Sequence, residues 1–68
     1  MNEDVLNMDV RKFLKVVGVT SQRVIEGAVR DAIRTGRLRG DETLTAKMTL
    51  TIDHLGLRHE IDGTISLT

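Results

Sequence analysis

Near residue 42 the apolar residues of this chain change their spacing from three and four to two, and that switch constrains the fold more than any other feature. Beyond it, Leu44, Ala46, Met48, Leu50 and Ile52 alternate with Thr43, Thr45, Lys47, Thr49 and Thr51, which predicts a strand over 43–53 with one apolar and one hydroxyl-rich face. Asp53-His54-Leu55-Gly56 reads as a turn. The return strand over 57–67 sets Leu57, His59, Ile61, Ile65 and Leu67 on one face and Arg58, Glu60, Asp62, Thr64 and Ser66 on the other. Pairing Ile52 with Leu57 puts apolar residues opposite apolar residues and Lys47 across from Asp62. Asp62-Gly63 is a rival turn signal. A two-residue loop there mixes the two faces, whereas an uninterrupted strand keeps them in phase and sets Gly63 opposite Ala46. A three-residue loop would also preserve the parity, leaving a three-stranded meander as the alternative.

Before the switch, Leu6, Val10, Phe13, Leu14 and Val17 fall on one helical stripe, and the spacing predicts a helix over 3–17. Asn2 suits the N-cap, Glu3 and Asp4 occupy the first turn, and Arg11, Lys12 and Lys15 follow, as the helix dipole favours. Gly18 reads as the stop. Val19, Thr20 and Val24 fit a hydrophobic staple with Thr20 as the cap, so a second helix is expected over 21–35 with Val24, Ile25, Ala28, Val29, Ala32 and Ile33 buried and Gly36 ending it. Gly27 lies on the polar side, where it costs about 1 kcal/mol relative to alanine. Two helices joined by so short a turn form an αα-hairpin or a helix-turn-helix, followed by the basic linker Arg37-Leu38-Arg39-Gly40.

The predicted fold is therefore α+β, an ααββ order in one small domain spanning 1–68, with two amphipathic helices packed on one face of a C-terminal antiparallel β-hairpin. A chain of 68 residues sits near the lower limit of independent stability. With no cysteine it has no disulfide and no cysteine-ligated metal to staple it, which fits a reducing, cytoplasmic compartment. A two-stranded sheet is also marginal by itself and leaves both edges open. Edge-to-edge pairing with a second copy, completing a four-stranded sheet in a homodimer, answers both problems.

The formal net charge is zero, yet residues 11–39 hold eight bases against Glu26 and Asp31, while residues 40–68 hold two bases against five acids. That layout suits either an anionic partner for the helices or attraction between unlike halves. The acidic N-terminus is unlike a signal peptide, and no apolar run is long enough to span a bilayer, so no membrane association is expected.

The stretches MNEDVLNMDVRKFLKVVGVTSQRVIEGAVRDAI and LTAKMTLTIDHLG resemble a family of short, uncharacterised bacterial proteins classed as a domain of unknown function. The resemblance spans nearly the whole chain and implies a bacterial origin. It transfers no activity, cofactor or site.

No catalytic signature is present: there is no cysteine nucleophile, no nucleophile elbow and no phosphate-cradling glycine loop, so neither catalysis nor a cofactor is expected. His54 and His59 straddle the hairpin turn near Asp53 and Glu60, but a transition-metal site wants three or four converging ligands, and an inward His59 is more often a core residue. Arg23, Arg30 and Arg34 share a face of the second predicted helix, extended by Arg37 and Arg39, and a helix-turn-helix with a following hairpin resembles part of a winged-helix reader. Against nucleic acid stand the absence of a third helix, the apolar length of the hairpin and the lack of any aromatic residue in the basic region; Phe13 is the only one in the chain. The leading expectation is a small protein-interaction module that self-associates, or docks an unidentified protein, by strand addition. The row Thr43, Thr45, Thr49, Thr51, Thr64 and Ser66 is its candidate outer surface, although threonine is also an ordinary choice for an exposed β-face.

Overall fold

One α-helix, not two, precedes the hairpin. The computed structural model describes residues 1–68, and in it α1 runs without interruption over Glu3–Arg34, 32 residues, or about 48 Å at the standard rise. The expected stop at Gly18 and restart after Thr20 do not occur, and with them go the αα-hairpin and the helix-turn-helix. The reason is energetic. A break between residues 17 and 21 would strand four carbonyls and four amides without intrahelical partners, whereas one helical glycine costs about 1 kcal/mol. Gly18 keeps a negative φ and continues the ladder.

The ends of α1 are built as its sequence requires. The Asn2 side chain accepts a hydrogen bond from the Val5 amide at 3.1 Å, and Glu3 and Asp4 occupy the positive first turn. At the other end Thr35 is the C-cap and Gly36 takes φ 82°. The Gly36 amide donates to the Ile33 carbonyl at 3.1 Å and the Arg37 amide to the Ala32 carbonyl at 2.8 Å, the paired bonds of a Schellman motif.

Two antiparallel strands follow, β1 at Thr43–Ile52 and β2 at Leu57–Ser66, in a two-stranded sheet. A 3₁₀ turn over Asp53–Leu55 joins them, closed by a bond from the Gly56 amide to the Asp53 carbonyl at 3.0 Å, with Gly56 left-handed at φ 57°. The register is the one that parity demands: Ile52 opposite Leu57, Met48 opposite Ile61, Ala46 opposite Gly63 and Leu44 opposite Ile65. Asp62-Gly63 therefore lies within β2, and the meander is not formed. Lys47 does sit opposite Asp62, but its ion pair is diagonal, to Glu60 at 3.4 Å. Glu60 also receives Arg58 at 2.7 Å, so one carboxylate holds both bases of the sheet.

The chain divides into two compact units, Met1–Arg37 and Leu38–Thr68. In the first, Ala32 is the one buried residue; in the second, none is. The stripe expected to be buried in two helices is largely exposed, Leu6, Val10, Phe13, Leu14, Val24, Ile25 and Ile33 included. A single unbroken helix has no second helix of its own to fold back against it.

Candidate interaction surfaces

The hairpin's backbone fixes which of its groups are spent and which are free. The Leu67 amide donates to the Glu42 carbonyl at 3.0 Å, so the opposed pair 42 and 67 is a hydrogen-bonded one. Alternation along the ladder then turns the amides and carbonyls of Leu44, Ala46, Met48, Leu50 and Ile52 toward β2. Those of Thr43, Thr45, Lys47, Thr49 and Thr51 point outward along the open edge of β1. On β2 the outward set is Arg58, Glu60, Asp62, Thr64 and Ser66. The apolar face thus coincides with the inward-bonded residues, and every candidate hydroxyl residue carries an edge-facing amide.

The two edges differ in side chains. The β2 edge carries Arg58, Glu60 and Asp62 in succession, the kind of charge that protects an edge, whereas the β1 edge carries only Lys47 among threonines. The hydroxyl row is gathered at the open end of the hairpin, where Thr43 faces Ser66 and Thr45 faces Thr64. Toward the turn it is interrupted, Thr49 lying opposite Glu60 and Thr51 opposite Arg58. Ser66 Oγ is turned to the chain end, donating to the Thr68 carbonyl at 2.9 Å.

The predicted basic face is less uniform than its spacing suggests. Arg34 forms an ion pair with Asp31, and Arg37 reaches the same carboxylate at 3.2 Å. Arg37 also donates through Nε to Thr35 Oγ1 at 3.2 Å, drawing it to the helix end. Arg23 and Arg30 stand on one face of α1 without an ion pair, and Arg39 lies outside the helix. Two of the five arginines thus share Asp31, and no helix-turn-helix presents the set.

His54 falls in the turn and His59 on β2 opposite Leu50; no group of three His, Asp or Glu side chains converges there or elsewhere. No helix is long and apolar enough to cross a membrane.

Glu42 has a role that the sequence pattern does not announce. Its carboxylate accepts the backbone amides of Arg39 at 2.9 Å, Gly40 at 3.0 Å and Asp41 at 3.2 Å, closing the connector just before β1. Those bonds, from Arg39 foremost and then Gly40, hold its carboxyl below the ordinary glutamate range. The only sequence hint is an acid two residues after a glycine and next to a strand start.

No functionally curated protein and no solved structure matches the chain. One family model does, over residues 1–68, and its description is "Family of unknown function (DUF6494)". With the model covering the chain from end to end, this α+β protein belongs to that family of unknown function.

Proposed function

We propose that the chain is a non-catalytic, cytoplasmic protein-interaction module that docks a second copy of itself on the open edge of β1, extending the two-stranded sheet to four strands. The observation that carries this reading is the row of outward backbone groups at Thr43, Thr45, Lys47, Thr49 and Thr51, which the β1–β2 ladder leaves unused. A two-stranded sheet is marginal in water, and strand addition supplies main-chain hydrogen bonds without any specialised pocket. β1 is the more receptive edge because threonine favours strands and Lys47 is its single charge.

Proline scanning along β1 tests it. Thr49→Pro removes an outward amide and leaves the β1–β2 bonds in place, so the hairpin's own amide protection should persist while self-association through the sheet is lost. Leu50→Pro removes an inward amide and should destroy the hairpin itself. Sedimentation combined with amide exchange reads both. Outward β1 amides no better protected than a frayed edge, at concentrations where the wild-type chain is associated, refute edge docking.

A further inference from the structure

We infer that α1 pairs antiparallel with α1 of a second copy along the stripe Leu6, Val10, Phe13, Val17, Thr20 and Val24. This contact lies in a different unit from the sheet edge and goes beyond the strand-docking reading. It rests on the continuity of the helix. Because α1 does not break at Gly18, those six positions recur at spacings of four and three in unbroken phase, the heptad seam of a two-helix coil. Gly18 falls off the seam.

Apart from the half-buried Val17, the seam is uncovered. Leu6 and Val10 are nearly half exposed, Phe13 is 56% exposed and Val24 65%. Leu14, 52% exposed, flanks it on one side, and Asp9, Val16 and Arg23 recur at intervals of seven along the other. Contiguous apolar surface of this kind marks a contact.

Charge selects both the occupant and its direction. Each half of α1 is nearly balanced in charge overall, but beside the seam Asp9 lies in the first half and Arg23 and Arg30 in the second. Two parallel copies would set Asp9 beside Leu14 and Arg23 beside Ala28 of the second copy, leaving both charges without a partner across the seam, and would align their dipoles. Reversing one copy about a midpoint at residue 15 sets Leu6 against Val24 of the second copy, Val10 against its Thr20 and Phe13 against its Val17. In the same register Leu14 and Val16 each meet their own counterparts. Asp9 then lies beside Arg23 of the second copy, twice over by symmetry. Such flanking pairs, exposed to solvent, set orientation more than affinity. The seam supplies the affinity.

Association of the full chain tests the inference. Light scattering should give at least two chains, and Phe13→Glu should abolish the helix-mediated contact. Asp9→Arg and Arg23→Asp should each weaken it about tenfold, and the double variant should restore it, since the reversed pair is again opposite in sign. Because the chain has no cysteine, Asp4→Cys can carry a single nitroxide. The antiparallel register separates the two labels by roughly 33 Å along the axis, at 1.5 Å per residue. A single-chain mass at millimolar concentration overturns the inference. A dimer indifferent to Phe13→Glu is held elsewhere and overturns helix pairing while leaving the sheet edge in play. Labels side by side, or a double charge variant no better than the single ones, overturn the antiparallel direction.

Discussion

Glu42 stands where the connector becomes a strand, and its charge is put to structural use. Three consecutive backbone amides, those of Arg39, Gly40 and Asp41, point at one carboxylate. The folded chain holds that proton less readily than the unfolded chain, because the amide bonds favour the ionised form. The stabilisation is therefore complete at neutral pH and fades only as the pH falls through the unfolded glutamate value toward the lower folded one. Amide shifts of Arg39 and Gly40 should titrate together, with a midpoint below the ordinary glutamate range. Glu42→Gln should abolish that titration and loosen the connector's amide protection at neutral pH. Arg37 and Arg34, by contrast, share Asp31 at the surface, where ion pairs of this kind contribute less than about 1 kcal/mol.

At the level of elements, α1 and the hairpin differ in how far the residues announce them. The hairpin was legible because a strand's period of two makes register a question of parity: only pairing Ile52 with Leu57 keeps Met48 opposite Ile61 and Leu44 opposite Ile65. The helix was half legible. Its cap at Asn2, its dipole arrangement and its end at Gly36 follow from single residues with single roles. Gly18, Val19 and Thr20 do not, because glycine accepts either hand and a threonine cap is favourable only if the ladder has already broken. Residues 17 to 21 read locally as a turn, while the cost of stranding eight backbone groups is a property of the whole element. The paired substitutions Ser21→Pro and Gly18→Ala separate the two readings. At the first position of a new helix a proline is tolerated; inside a continuous one it removes a ladder bond and costs about 3 kcal/mol or more. Ser21→Pro should therefore destabilise the chain severely in urea titrations. Gly18→Ala should stabilise it by about 1 kcal/mol, since nothing lies within 4 Å of the added methyl group. The candidate surface was legible as a row of hydroxyl residues, but which amides face outward depends on hydrogen-bond phase, which sequence alternation alone does not reveal.

At the scale of the whole molecule, what stands out is how little is buried: Ala32 in the first unit and nothing in the second. Folding has to offset the loss of conformational freedom with apolar burial, and one chain supplies little of it. The two proposed contacts, a sheet edge and a helix seam, are each self-complementary. Directed at the same second copy they close a dimer; directed at different copies they build a larger assembly, and sedimentation separates these cases. In either case the melting temperature should rise with protein concentration, because association favours the folded state by mass action. A melting temperature constant over a hundredfold dilution, across a range where the mass also stays constant, would mean that one chain is stable alone. If it is not, the number of copies in a cell becomes a folding variable in its own right. A fall in expression would then lower the folded fraction as well as the amount, and clearance of the unpaired chains would sharpen a modest change in supply into a threshold.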